Sequence, residues 1–121
     1  MSEGKPQSYR DLIVWQKAMD MAFGVFELAK RFPKEELYAL RSQVTRAASS
    51  VPANIAEGNG RGTAKDYANF LSIAKGSLSE TETLLLLAMR LKYIEKADLE
   101  PVFSLAEEVG KMITAMRSKL R

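Results

Sequence analysis

Apolar residues recur along this chain three and four positions apart, the spacing that lines one face of a helix, and nowhere alternate with the period of two that a half-buried strand needs. Four helices are predicted. The first runs from about Asp11 to Arg31, with Ser8 or Asp11 as its cap and Pro33 as its stop. The second covers about Glu35 to Glu57 and is closed by Gly58, Asn59 and Gly60, residues that tolerate the left-handed backbone of a helix exit. The third begins after Thr63, whose hydroxyl can cap it, and reaches about Lys92. The fourth follows Asp98 as its cap, which puts Pro101 in the first turn, where a missing N–H costs little. Short links between long helices favour antiparallel neighbours. The expected fold is therefore all-α, an antiparallel up-down-up-down four-helix bundle, with one domain over residues 11–121 behind a polar tail at residues 1–10.

The stripes differ in width. The fourth helix carries one clean seam: Leu99, Val102, Ala106, Val109, Ile113, Met116 and Leu120. The first helix carries two. Leu12, Trp15, Met19, Ala22, Phe26 and Ala29 form one line, and Val14, Ala18, Met21, Val25, Leu28 and Phe32 form a second beside it. The third helix repeats this, with Tyr67, Leu71, Ala74, Leu78, Thr81 and Leu85 on one line and Leu84, Leu87, Leu91 and Ile94 on another. A surface helix of a small bundle needs an apolar arc of little more than about 100°. The surplus is either a well-covered central helix or a subunit interface. Burying a large apolar side chain is worth about 1.5–3 kcal/mol, so self-association is expected, with Val14, Met21, Val25 and Leu28 as the interface candidates.

Composition narrows the function. With 121 residues, 46% hydrophobic and 27% charged, the chain suits one ordinary globular domain. It has neither cysteine nor histidine. Disulfides, thiolate nucleophiles and cysteine-based metal sites are excluded, and the commonest general base at neutral pH is missing. A cysteine-free chain with no apolar N-terminal stretch is expected in the cytoplasm. Its densest apolar run, Leu84 to Met89, is far below the roughly 20 residues of a membrane span.

Few residues suggest chemistry. Pro52 interrupts the second helix and should open a kink that Ser49 or Ser50 partly satisfies, or else divide it into two shorter helices. Asn54 and Glu57 share a face, and Glu80 lies in the nearly uncharged run Gly76 to Ala88. Carboxylates near an apolar surface could bind metal, but bundle metal centres usually use a Glu-x-x-His pattern. Glu57 or Glu80 is better read as a hydrogen-bonded clamp between helices. No catalytic residue, metal, cofactor or small-molecule substrate is expected, and the chain is read as not an enzyme. The run Gly58 to Gly62 lacks the flanking pattern of a nucleotide-binding glycine loop. It leads instead into a helix N-terminus beside Arg61 and Lys65. With Arg41 and Arg46, these four cations are the candidate nucleic-acid contacts. A second run of cations, Lys111, Arg117, Lys119 and Arg121, follows Glu108. The net charge of +3 gives weak general support.

One stretch identifies a family. Trp15-Gln16-Lys17-Ala18, Phe32-Pro33-Lys34-Glu35, Leu40-Arg41-Ser42-Gln43, the run from Arg46 through Pro52, Asn54 and Glu57 to Gly58, and Gly76-Ser77-Leu78-Ser79-Glu80 closely resemble the bacterial four-helix-bundle family named after reading frames in intervening sequences of 23S ribosomal RNA genes. The resemblance spans about residues 9 to 95, and Ala39 stands where the family often has glycine. It implies a bundle that assembles as a ring, typically a homopentamer. It also implies kinship with the accessory variability proteins of diversity-generating retroelements, basic pentamers that bind nucleic acid and a reverse transcriptase. The expected function is a non-enzymatic oligomer that binds RNA or a nucleic-acid-handling protein through basic surfaces. The alternative is a scaffold that recruits a protein partner.

Overall fold

In the computed structural model of the chain, which describes residues 8–120, four helices run in alternating directions: α1 (Ile13–Ala29), α2 (Leu40–Asn59), α3 (Ala64–Arg90) and α4 (Lys96–Lys119). The rest of the expected polar tail, residues 1–7, and Arg121 lie outside the described residues. Each helix packs on the next and α4 closes against α1, while the diagonal pairs do not meet. This is the up-down bundle, and its core fills the space between all four helices. It is one cluster that takes in Val14, Met21 and Val25 of α1, Val44, Val51 and Ile55 of α2, Leu71 and Leu85 of α3, and Val109 and Ile113 of α4. Each such side chain contributes about 1.5–3 kcal/mol by leaving water. Thr81, the one buried polar residue among those described, donates its hydroxyl to the Ser77 carbonyl at 2.8 Å.

That core corrects the interface expected on α1. Val14, Met21, Val25 and Leu28 are all buried within the monomer, at 0–6% exposure, and cannot meet a second copy. The stripe beside them is divided: Ala22 and Ala29 are buried as well, whereas Met19 and Phe26 turn outward at 45% and 44% exposure. Periodicity shows two stripes, but only the positions of α2 and α4 decide which one is covered.

Helix ends also moved. Ser8 caps a 3-10 turn at Tyr9–Asp11, and α1 begins after it, so packing starts within the expected tail. A second 3-10 turn at Lys34–Glu36 delays α2 to Leu40, whose N–H donates to the Glu36 carboxylate at 3.2 Å. Thr63 caps α3 as expected, accepting from the Asp66 N–H at 3.1 Å. The cap of α4 is Glu95, and Asp98 is its third helical residue, accepting the Glu95 N–H at 2.9 Å. Pro101 therefore sits in the second turn and denies a bond to the Ala97 carbonyl.

Glycine plays a different role from the one expected. None of the described glycines has a left-handed backbone, and Gly60 lies at φ −81°. Gly58 is buried inside α2, where a Cβ would stand 2.8 Å from the Phe70 Cβ and 3.0 Å from Tyr67 Cδ1. It is there so that α2 and α3 can approach. Among the described residues, the left-handed position is Lys92, at φ 68°. There α3 ends in paired bonds, from Lys92 N to the Met89 carbonyl and from Tyr93 N to the Ala88 carbonyl.

The α1–α2 and α3–α4 links meet at one end of the bundle. Tyr93 Oη donates to Glu36 Oε2 at 2.7 Å, which holds the phenol proton and raises its pKa. Arg31 reaches Asp98 at 2.8 Å. The Glu95 N–H, then Arg31, hold the Asp98 carboxyl below the usual carboxylate range.

Candidate nucleic-acid interface and apolar groove

Alternating helix directions decide which cations are neighbours. Arg61 and Lys65 lie at the α2–α3 link, and the last turn of α4, with Arg117 and Lys119, reaches the same end. Ala68 of α3 and Arg117 of α4 line one shallow cavity of about 280 Å³ there, and Arg10 stands at the start of α1. Arg61 and Lys65 of the first basic run and Arg117 and Lys119 of the second thus share the end opposite the Tyr93–Glu36 contact. Arg41, the second residue of α2, is at that opposite end, roughly 30 Å from Arg61 along the helix axis. Arg46 projects midway, bonded to Ser42 Oγ at 2.9 Å. The four expected contacts are therefore not one patch. Two belong to the basic end, and Arg117 and Lys119 belong with them.

Arg61 is held in place. Its guanidinium lies 4.8 Å from the centre of the Phe70 ring and 3.2 Å from the Glu57 carboxylate. That pair is exposed, so it orients the cation at little energetic gain. Lys65 is exposed in the first turn of α3, where helix amides add positive potential.

The clamp between α2 and α3 is made by hydroxyls and not by carboxylates. Ser50 Oγ meets Ser77 Oγ at 2.9 Å, and Asn54 Nδ2 donates to both Ser50 Oγ and the Ser50 carbonyl at 2.8 Å. Glu57 instead pairs with Arg61 on its own segment, and exposed Glu80 borders a cleft with Gln43 and Arg46. Pro52 neither divides α2 nor is relieved by a serine. The helix is continuous, Ser49 bonds the Arg46 carbonyl, and Ser50 is engaged across the helix pair.

Pro52 lines a depression of about 630 Å³ between the outer faces of α1 and α2. Trp15, Met19, Phe23 and Phe26 of α1 make one wall. Ser49, Ala53 and Ala56 of α2 make the other, and Tyr9 closes one end, its ring edge-on to Trp15 with the ring centres 5.2 Å apart. Phe23 is 69% exposed. It fell between the two stripes read from the sequence, yet its spacing of four from Met19 and three from Phe26 carried the signal, as did Ser49, Ala53 and Ala56 on α2. A third depression, beside Glu82, Glu100 and Glu107, is acidic; burial, then Glu107, raises the pKa of Glu82. Among the described residues, no group of three potential metal ligands converges, and no helix is long and apolar enough to cross a membrane.

The chain matches the family profile described as 23S rRNA-intervening sequence protein over residues 10–115. It is also similar to the crystal structure of a protein of unknown function from the S23 ribosomal protein family of Bacteroides thetaiotaomicron. That similarity has a TM-score of 0.80 and 26% identity, and covers 87% of this chain and 98% of that one. No curated protein matches the chain. The chain belongs to the 23S rRNA-intervening sequence protein family.

Proposed function

We propose that this member of the 23S rRNA-intervening sequence protein family is a non-enzymatic, self-associating bundle of the cytoplasm that binds RNA through its basic end. The observation that carries the RNA part is the convergence of Arg10, Arg61, Lys65, Arg117 and Lys119 from separate segments. Phosphate binding needs several cations within reach of one backbone, and an antiparallel bundle supplies them at one end without any sequence-specific element. Association into a ring, with five copies as the family resemblance implies, would multiply that potential.

The test uses structured RNA titrated at several salt concentrations. Lys65→Ala, Arg117→Ala and Lys119→Ala are each expected to weaken binding and to flatten the dependence of log K on log salt by roughly 0.7–0.9 per lost phosphate contact. Arg41→Ala, at the far end, is expected to leave both unchanged. Binding that ignores the end cations, or that persists unweakened at high salt, overturns the reading. The second reading, a protein-recruiting scaffold, is favoured by the exposed aromatic groove, and salt-resistant capture of a protein partner would support it.

A further inference from the structure

Arg61 is tied down in a way that a plain phosphate contact is not. Its guanidinium lies over the Phe70 ring, 4.8 Å from the ring centre, and its Nη2 meets a Glu57 carboxylate oxygen at 3.2 Å. A guanidinium donates its hydrogen bonds in its own plane and stacks through its faces. The carboxylate therefore takes an edge and the ring takes one face, yet 47% of the side chain remains exposed. The face turned away from Phe70 is the part left to solvent. The loop around it leaves room. Arg61 lies between Gly60 and Gly62, and a Cβ added at Gly62 would meet no atom within 4 Å. Exposed Lys65 and the α4 residues Arg117 and Lys119 share this end of the bundle.

Resting on the RNA reading proposed above, we infer that the Arg61–Phe70 pair is a stacking platform for an unpaired base, so that the basic end takes single-stranded RNA in preference to duplex. Charge and shape give the cations of this end different tasks. Glu57 already offsets the charge of Arg61 and itself repels an approaching phosphate. What Arg61 still offers is a flat, weakly hydrated face, and unpaired bases stack on arginine planes as they do on aromatic rings. Lys65 carries its charge on a flexible stem and offers no such face. In duplex RNA the bases stack on one another, and the open face of Arg61 has nothing to cover. An unpaired strand can lay a base on Arg61 while its phosphates reach Lys65 and the α4 cations. Phe70 is a positioning residue. It is half-buried, and its Cβ lies where a Cβ on Gly58 of α2 would stand only 2.8 Å away. The ring beneath Arg61 is thus fixed by the α2–α3 contact, and the platform exists before any RNA arrives.

The experiment titrates the natural chain and Arg61→Lys with an unpaired RNA strand of about 12 nucleotides, within the range of single-strand site sizes, and with the same strand annealed to its complement. Lysine keeps the charge and removes the plane. The natural chain is expected to bind the unpaired strand more tightly than the duplex. Arg61→Lys should lower affinity for the unpaired strand about tenfold and leave the duplex within about twofold. Unlike Lys65→Ala, it should leave the salt dependence unchanged. Phe70→Leu keeps an apolar side chain against Gly58 and removes the ring; it should weaken the unpaired strand roughly threefold, with circular dichroism checking that the helices are intact. An Arg61→Lys chain that binds both RNAs as the natural chain does, or weakens on both alike, overturns the platform and leaves the basic end standing. So does a natural chain that binds the duplex as tightly as the unpaired strand. Binding of neither RNA overturns this inference and the RNA reading together.

Discussion

Helix α2 meets its two neighbours with the same kind of residue and opposite results. On the α3 flank, Gly58 and Ser50 draw the helices close enough for a Cβ to clash and for two hydroxyls to bond. On the α1 flank, Ser49, Ala53 and Ala56 stand beside tall aromatic side chains and leave about 630 Å³ open. On the α3 flank Ser50 faces another small residue, Ser77, and Gly58 lets the Phe70 and Tyr67 side chains lie directly against α2. On the α1 flank the aromatic side chains are turned outward, and the small residues of α2 leave the space beside them unfilled. The closed flank is therefore a matter of this chain's own stability, and the open flank a matter of what else binds.

The largest expected effect is on the closed flank. Gly58→Ala forces its Cβ into Phe70 and Tyr67, an overpacking cost of about 1–3 kcal/mol that exceeds the roughly 0.5–1 kcal/mol gained from helix propensity. The urea midpoint should fall with the slope unchanged; a midpoint at or above that of the natural chain would show that the flank has slack. Next comes the hydroxyl clamp. Ser77→Ala is expected to cost about 0.5–1.5 kcal/mol, and combining it with Ser50→Ala should cost less than the two separate losses together. Strict additivity in that cycle would mean the contact contributes nothing.

On the open flank, Phe23→Ala is expected to change the unfolding free energy of the dilute chain by less than about 0.5 kcal/mol, because Phe23 is mostly exposed. A loss of 2 kcal/mol or more would place Phe23 in the core and erase the contrast. The smallest effect is a control that touches neither flank. Asp98 has its folded pKa lowered by the Glu95 N–H and Arg31. Its contribution is therefore present above its unfolded pKa, about 3.9, and is lost as pH falls below that toward the lower folded value. Asp98→Asn should be less stable than the natural chain at pH 7 and indistinguishable from it near pH 2, as read by thermal melts.

The sequence showed the four helices and most of the core of α4, because Leu99 to Ile113 form a single seam that can face only one way. It did not show which stripe of α1 is inward, since two adjacent apolar lines have no periodicity that ranks them. Gly58 was legible as a special residue but for the wrong reason, because its constraint comes from Phe70 and Tyr67 across a helix pair. The delayed start of α2 depends on Glu36, whose partner Tyr93 is 57 residues away. Of the candidate nucleic-acid contacts, Arg61 and Lys65 sit together as their spacing suggested. Arg41 does not, because a helix carries its ends apart, and Arg117 joins them only through the folding back of α4.

Trp15 is the only tryptophan in the chain, and it stands half-buried in the groove wall beside Tyr9. Its indole is thus a built-in optical reporter of that one surface. Anything that fills the groove and expels water from the ring should shift its emission to shorter wavelength, whereas an RNA bound at the basic end without filling the groove should leave the colour unchanged. One emission spectrum, taken without any added label, separates the two kinds of binding.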